Sequence, residues 1–164
     1  LFMCKTSGLC HANQHQYCID RALESAEEVC AQRGVRLTPL RKRILELVWQ
    51  SHKPLGAYDI LDQLSREDGR RAAPPTVYRG LEFLLNNGLV HRLASLNAYI
   101  GCSHPEDPHE GYFMLCKQCD NAYELAQHAA IDDVIDETAK QMGFVVDTKM
   151  LEIFGTCVTC RGFA

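Results

Sequence analysis

Two pairs of cysteines are the residues whose spacing indicates chemistry most directly. Each pair encloses two residues, and 37 residues separate the pairs in a chain of 164. A two-residue gap allows a tight turn that directs both sulfurs to one ion, so the pattern predicts a closed tetrahedral zinc site with a structural role. Four reduced thiols, or a disulfide between the pairs, are the alternatives. The four predicted zinc ligands are Cys116, Cys119, Cys157 and Cys160.

Length and composition are those of an ordinary globular protein. A chain with 46% hydrophobic and 23% charged residues can form one domain or two small ones. It has no apolar run near the roughly 18 residues that a membrane span needs. Its first residues also lack the basic stretch and apolar segment of a signal peptide. The sequence therefore predicts a cytoplasmic protein with reduced thiols and no membrane partner.

The first 19 residues are mostly polar but rich in thiols and imidazoles. This composition predicts a mobile arm at 1–19 whose thiols bind metal only incidentally. An auxiliary metal site is the alternative. The residues in question are Cys4, Cys10, Cys18, His11 and His15.

The net charge of −4 is unevenly distributed. Residues 20–95 carry 12 Lys/Arg and 10 Asp/Glu, whereas residues 96–164 carry 4 and 11. Such a division indicates that the first half meets a polyanion and the second does not. A solvated basic face is the alternative. The basic residues cluster between Val29 and Leu45, where no acid occurs: Arg33, Arg36, Arg41, Lys42 and Arg43.

The first half reads as four helices followed by a hairpin. In the fourth helix, apolar residues share one face and leave Arg79 on the opposite, outward face. Helices followed directly by two short strands predict a winged helix-turn-helix, whose last helix enters the major groove of DNA. Helices are predicted at 20–33, from Thr38-Pro39, at 57–66 and from Pro74 to Asn86 or Asn87, and strands at 89–93 and 97–101.

The second half reads as strands and one helix. Strands are predicted at 113–115 and 122–125, on either side of the first cysteine pair, and a long strand at 144–154. A helix at 129–142 lies between them and ends at Gly143. Its acidic residues are predicted to face outward, which would keep DNA on the other half. These acids are Asp132, Asp133, Asp136 and Glu137.

Three motifs occur in the order typical of one known family, and the chain resembles the ferric uptake regulator family from about 20 to 162. The resemblance implies an α+β fold: a winged helix-turn-helix DNA-binding domain at 20–102, a hinge at 103–111 and an α/β dimerisation domain at 112–164. It also implies a homodimer that binds AT-rich inverted repeats in double-stranded DNA when a metal is bound. The motifs are Arg36-Leu37-Thr38-Pro39-Leu40-Arg41, Pro75-Thr76-Val77-Tyr78-Arg79-Gly80-Leu81 and the double C-x-x-C.

Within this resemblance, Arg79 matches the arginine of the recognition helix and Tyr58 matches a tyrosine that lies near bases. A guanidinium can bind guanine O6 and N7 together, and an aromatic ring can contact a thymine methyl. Arg36 and Arg41 are expected to bind phosphates without reading sequence. Tyr58 as a core aromatic and Arg79 as a surface ion pair are the alternatives. Thr76 and Tyr78 complete the expected DNA contacts.

A second set of residues matches the sensing site of the zinc uptake regulator branch of that family. The set is two imidazoles, one thiolate and one carboxylate, which suits four-coordinate Zn²⁺ better than Fe²⁺ or Mn²⁺. We therefore expect two zinc ions per protomer, one structural and one regulatory. His104 is a possible substitute ligand. The four matching positions are His91, Cys102, His109 and Glu124.

The sequence departs from the iron-sensing branch at His109-Glu110-Gly111-Tyr112, where that branch has His-His-Asp-His. The departure favours a zinc-responsive repressor of zinc-uptake genes, and it puts a third metal site in doubt. An iron- or peroxide-responsive regulator is the alternative. A zinc enzyme with a small-molecule substrate is not expected, because the deaminase His-x-Glu and Pro-Cys-x-x-Cys signature is absent. A zinc-buffering protein would leave the helix carrying Arg79 without a purpose.

Overall fold

The computed structural model describes residues 12–50, 52–68, 73–107, 111–125 and 129–162. It confirms the predicted α+β fold, in which helices precede a small wing and a second sheet with one helix follows. In chain order the elements are α1 (Ala12–Gln32), α2 (Pro39–Trp49), β1 (Leu55–Gly56), α3 (Ala57–Asp68), α4 (Pro74–Asn86), β2 (Val90–Leu93), β3 (Ala98–Gly101), β4 (Gly111–Cys116), β5 (Ala122–Glu124), α5 (Ala129–Gln141) and β6 (Met150–Gly155).

Helix α1 begins at Ala12, so the predicted mobile arm is wrong for residues 12–19. Cys18 and Ile19 are buried, and with Ala26 and Val29 they continue one apolar face at helical spacing. Cys18 is disulfide-bonded, whereas the other described cysteines are free thiols. The side chains of the remaining arm residues lie outside the described residues: Cys4, Cys10, His11 and His15.

Local signals determine where α2 and α4 begin and end. Thr38 has extended backbone angles and its hydroxyl accepts a hydrogen bond from the Arg41 amide at 3.4 Å, so it caps α2 as predicted. Proline occupies the first turn of both helices, where its missing amide hydrogen is not needed. Gly88 then ends α4 with a φ of +65°, a conformation that glycine adopts without strain.

The first core holds α4 rigidly against α2. A Cβ at Gly80 would lie 2.5 Å from Ile44 Cδ1, so any larger residue here would force the buried Ile44 side chain to shift. Val77, Leu81 and Leu84 are buried in the same core. Because this face of α4 is fixed inward, the face bearing Arg79 is presented to solvent.

The strands form two three-stranded sheets. The first has the order β1-β3-β2 and is antiparallel, and its β2-β3 hairpin is the predicted wing. The second has the order β5-β4-β6, with β5 antiparallel and β6 parallel to β4. The sheets share a small core of buried side chains, so the wing packs directly on the second sheet. This core contains Leu93, Ile100, Phe113, Leu115 and Ala122.

The predicted long strand at 144–154 is too long, because β6 begins only at Met150. Lys149 precedes it, and its ammonium lies 3.3 Å from Asp132 and 2.7 Å from Asp136 of α5. Asp132 also accepts a 2.5 Å hydrogen bond from the buried Tyr112 hydroxyl. The prediction that Asp132 faces outward is therefore wrong, since it joins α5 to β4 and to the start of β6.

The described helices include none that is both long and apolar enough to cross a membrane. The boundaries of the two predicted domains and of the hinge remain predictions. The structure adds that β3 ends at Gly101 and β4 begins at Gly111. Residues 108–110 of the predicted hinge lie outside the described residues.

Candidate metal centres and DNA-binding surface

The four cysteines of the double motif meet at one end of the second sheet. Cys116 ends β4, and Gly155, its neighbour on the parallel strand β6, lies two residues before Cys157. Parallel strands finish at the same end of a sheet, so both C-x-x-C turns are brought together there. The four cysteine sulfurs all lie within 4.8 Å of one another.

The geometry of these sulfurs fits a tetrahedral zinc ion. The sulfurs of Cys119 and Cys157 are 3.8 Å apart, and a Zn–S bond of about 2.3 Å gives a tetrahedral S···S distance of about 3.8 Å. The four cysteines are free thiols, so the disulfide alternative is not found. The backbone amide of Cys157 donates to Cys116 Sγ at 3.3 Å, and such donors lower the pKa of Cys116 to about 6. Amide donors of this kind favour the thiolate, which is the form that binds zinc.

The second cluster joins the wing to the second sheet. His91 lies on β2, Cys102 follows β3, and Glu124 ends β5. One ligand atom from each of these three residues lies within 4.8 Å of the others. His91 Nε2 and Glu124 Oε1 are 3.0 Å apart. The structure thus brings together three of the four residues matched by sequence, and the fourth, His109, lies outside the described residues.

The cluster is shielded from solvent and prearranged. The side chains of His91 and Glu124 are 15% and 10% exposed. Burial, with a contribution from Glu124, raises the pKa of Cys102 to about 12. The second oxygen of Glu124 accepts a hydrogen bond from the Ser103 amide at 3.2 Å, which fixes the carboxylate. A divalent cation would offset the carboxylate charge here and displace the thiol proton.

One row of residues across the second sheet adds an aromatic contact and two carboxylate contacts to the packing of the wing. Phe113 pairs with Glu124 on one side and with Glu152 on the other. The Phe113 ring meets the His91 ring edge-on, with centroids 5.3 Å apart. Glu152 was missed by the sequence analysis, and the available signal was an acid between the apolar residues of a strand. Its carboxylate accepts a hydrogen bond from the Ala94 amide in the wing turn at 2.7 Å.

The predicted DNA-contacting residues of α3 and α4 are at the surface. Tyr58 is 74% exposed, which excludes the core-aromatic alternative, and Tyr78 is 45% exposed. Arg79 is exposed, and it forms no ion pair with any residue the structure describes. Thr76 is half-buried in the first turn of α4. Partial desolvation and the neighbouring Tyr58 side chain raise the pKa of Tyr78. The two exposed tyrosines are therefore neighbours on one surface.

The predicted phosphate-binding arginines have additional structural contacts. The Arg41 guanidinium lies 3.7 Å above the Phe83 ring and donates to the Arg36 carbonyl oxygen at 2.7 Å. Arg36 itself is exposed. Arg33 of the same basic cluster instead donates to the Asn87 carbonyl oxygen at 2.5 Å, and so binds the end of α4.

The sequence profile of the ferric uptake regulator family matches residues 32–154 of this chain. The chain is similar to the zinc uptake regulation protein of Escherichia coli (strain K12), with 40% identity over 139 residues, which cover 84% of this chain and 80% of that protein. It is also similar to the peroxide operon regulator of Bacillus subtilis (strain 168), with 30% identity over 138 residues, which cover 84% of this chain and 92% of that protein. The similarity is thus greater to the zinc regulator.

Solved structures of zinc uptake regulators distinguish two arrangements. A zinc uptake regulator complexed with zinc and DNA superposes with a TM-score of 0.82 at 36% identity, covering 88% of this chain and 95% of that chain. The holo form of XcZur superposes with a TM-score of 0.77 at 40% identity, covering 85% and 96%. Its apo form gives only 0.50 at 37% identity, covering 87% and 97%. The present chain therefore has an arrangement nearer the holo form.

Proposed function

Because this chain belongs to the ferric uptake regulator family, we propose that it is a zinc-responsive transcriptional repressor. It binds AT-rich inverted-repeat DNA as a homodimer when zinc is bound, and represses zinc-uptake genes. The observation that carries the proposal is the cluster of His91, Cys102 and Glu124. Its members come from both sides of the wing–sheet junction, so occupancy of the cluster and orientation of the wing are coupled.

The choice of zinc rests on the chemistry of the ligands. A buried thiolate is a soft donor, and with imidazole and carboxylate it suits four-coordinate Zn²⁺. His109 is proposed as the fourth ligand. Relatives named for zinc, including one solved with zinc and DNA, support this choice over the iron or peroxide alternative. Together with the four-cysteine cluster of Cys116, Cys119, Cys157 and Cys160, we infer two zinc ions per protomer, one structural and one regulatory.

The mechanism follows from which elements the cluster connects. Zinc bound there would supply coordination bonds from the wing to the second sheet, in place of a junction held by side-chain contacts alone. The Glu124 carboxylate, fixed by the Ser103 amide, is already oriented toward His91. The wing continues directly from α4, so fixing the wing also fixes the direction of the helix that bears Arg79. The arrangement near the holo neighbour supports this reading.

DNA recognition needs two such helices at once. A dimer reads an inverted repeat when its recognition helices are about 34 Å apart, one turn of DNA. A mobile wing dilutes that arrangement, and a ligand that binds the competent arrangement better shifts the population toward it. Arg79 and Tyr58 would then reach bases, while Arg36 and Arg41 would meet phosphates. Tyr78 and Thr76 lie on the same helix and would complete the contact.

The homodimer is supported by an exposed apolar surface in the second half. Helix α5 has no buried residue. Val134 on α5 is 66% exposed, and Met142, which follows the helix, is 76% exposed. Phe144 and Met150, in the segment that follows, are 66% and 65% exposed. An apolar surface of this kind is typical of a protein interface. Pairing through it would leave the basic half of each protomer free for DNA.

The test is binding of a fluorescent AT-rich inverted repeat at buffered free zinc, iron and manganese. Anisotropy should rise with zinc in a single transition, and the same free concentrations of iron and manganese should leave it near the metal-free value. A transition driven by iron, or binding that ignores all three metals, would contradict the proposal. A duplex with a scrambled sequence and the same composition is the matched control for non-specific binding.

A further inference from the structure

We propose that Glu152 is a positioning residue that latches the wing turn to the second sheet, and thereby determines how much zinc the protein needs. The inference rests on the proposed function, because it concerns the same closed arrangement. Glu152 is not a candidate metal ligand, since it belongs to neither of the two candidate metal clusters among the described residues. It therefore acts on zinc binding only through the position of the wing.

The contacts of Glu152 all lie in one turn. Its Oε1 accepts a hydrogen bond from the Ala94 amide at 2.7 Å, and its Oε2 accepts one from the Ser95 amide at 3.3 Å. The Ser95 hydroxyl also donates to Oε2. Hydrogen bonds to an ionised carboxylate are roughly twice as strong as neutral ones. Both carboxylate oxygens are therefore engaged by a turn that lies 57 and 58 residues away in sequence.

The place of Glu152 in the sheet explains why the latch acts on the metal cluster. Glu152 and Glu124 flank Phe113 in one row across β6, β4 and β5. Glu124 approaches His91 on the wing, whereas Glu152 holds the turn that follows β2. Two carboxylates of this row thus contact the wing, and of the two only Glu124 is a candidate metal ligand. With Glu152 attached, His91 and Cys102 are already near Glu124 before any ion binds.

This arrangement has a defined thermodynamic consequence. If the latch is removed, the closed fraction of the metal-free protein falls, and the apparent zinc affinity falls by the same factor. Once zinc saturates the site, the wing is closed in either case, and DNA affinity is unchanged. A residue that merely supports the fold, or one that contacts DNA, would instead lower DNA affinity at every zinc concentration.

The experiment uses the dimer of the whole chain with zinc in its four-cysteine cluster, and measures DNA anisotropy against buffered free zinc. For Glu152→Ala, the free zinc concentration at half-maximal DNA binding should rise about tenfold. This factor is the low end of the effect expected when a partly exposed, charged hydrogen-bonding group is lost. The DNA affinity at saturating zinc should stay within about twofold of the wild type. Glu152→Gln, whose amide oxygen still accepts hydrogen bonds, should fall between. Asp133→Asn, which removes an exposed charge from α5, should leave the midpoint unchanged. An unchanged midpoint in Glu152→Ala, or equal losses at low and saturating zinc, would overturn the latch.

A second measurement separates failure of the latch from failure of the proposed function. Amide hydrogen exchange at Ala94 and Ser95 is followed by NMR in the dimer without DNA or regulatory zinc. Exchange in Glu152→Ala should be about tenfold faster than in the wild type at these two amides, and unchanged in the α2 core. If zinc did not change DNA binding by the wild type, but exchange still differed between the two proteins, the proposed function would be wrong and the latch would stand. Equal exchange in both proteins would remove the latch, whatever the zinc response.

Discussion

The imidazole of His91 and the carboxylate of Glu124 lie 3.0 Å apart across the junction between the wing and the second sheet. His91 lies on β2, the strand after helix α4, which is proposed to read DNA. Glu124 ends β5 in the domain proposed to form the dimer. Any ligand that requires both groups must therefore select one orientation of the wing. This relationship gives the chain a physical route from metal binding to DNA binding.

Replacing Cys102 or His91 with alanine should abolish the zinc response without unfolding the protein. Each change removes one proposed ligand of the regulatory cluster and leaves the four-cysteine cluster intact. We expect a folded dimer whose DNA affinity no longer rises with zinc, measured by anisotropy beside size-exclusion chromatography. Cys30→Ala is the matched control, because Cys30 is a buried free thiol of the first core outside both clusters. A zinc response retained in both ligand variants would move the sensing site elsewhere.

Replacing Cys116 or Cys157 with serine should destroy the second half of the protein. A structural zinc site contributes on the order of 10 kcal/mol to folding, and much of that contribution depends on each thiolate. The expected products are monomeric or unfolded, with loss of zinc beyond that of the regulatory site. Zinc content and light scattering of the purified variants check this. A folded dimer that keeps zinc at this site would show that the four sulfurs are not a structural centre.

Zinc binding at the regulatory cluster should release a proton from Cys102. Burial raises the pKa of this thiol to about 12, so it is protonated in the metal-free protein at neutral pH, whereas zinc binds the thiolate. The zinc affinity should therefore increase with pH, by about tenfold per unit from this residue between pH 7 and 9. Calorimetry in two buffers of different ionisation enthalpy measures the proton count. The same count in Cys102→Ala would exclude Cys102 as the source.

Arg79 and Arg41 should differ in what they contribute to DNA binding. Arg79→Ala should cost about 1–3 kcal/mol on the cognate site and less where the contacted base pair is altered. Arg41→Ala should weaken all sequences alike and make the salt dependence shallower by about one unit for each phosphate interaction that the change removes. It should also destabilise the first domain, because the guanidinium packs on Phe83. Salt titrations and thermal unfolding separate these effects.

Arg41→Lys is the control for the second variant, since it keeps the charge but loses the planar group that lies on Phe83. If Arg79→Ala weakened all sequences equally and left base preference intact, Arg79 would be a backbone contact. Tyr58 or DNA shape would then be the source of specificity.

Gly101→Ala should disturb both the first core and the regulatory cluster. A Cβ at this position would lie 2.2 Å from the Trp49 ring, so the ring or β3 must move, at a cost of about 1–3 kcal/mol. Because Cys102 is the next residue, zinc affinity should fall as well. Trp49 is the only tryptophan of the chain, so its fluorescence reports the displacement. Gly155→Ala, with no atom within 4 Å of the added carbon, should leave the fluorescence unchanged.

Local signals explain which parts of the fold were predictable from sequence. Thr38 and Pro39 determine the start of α2, and the apolar spacing in α4 puts Arg79 on the outer face. The four-cysteine cluster was predictable because the two cysteines of each pair are only three positions apart in the sequence. The start of α1 was not, because the mixed polar residues before Cys18 hide the apolar face of the helix.

The regulatory cluster and the latch depend on contacts between distant segments. Individually, His91, Cys102 and Glu124 have no local pattern that marks a ligand, and only the family resemblance joined them. Glu152 matches no motif, and its contact with the wing turn depends on how the two sheets pack. Asp132 was predicted to face outward because the sequence does not show that Lys149 and Tyr112 meet it. The role of His109 stays a prediction.

The most direct test of zinc-controlled wing closure is one titration performed on two proteins in parallel. Wild type and Cys102→Ala, each with zinc in the four-cysteine cluster, are mixed with a labelled AT-rich inverted repeat. Anisotropy is measured as the buffered free zinc concentration is raised. The wild type should pass from weak to tight binding, whereas Cys102→Ala should stay at the metal-free affinity throughout. Superimposable curves for the two proteins would contradict the account.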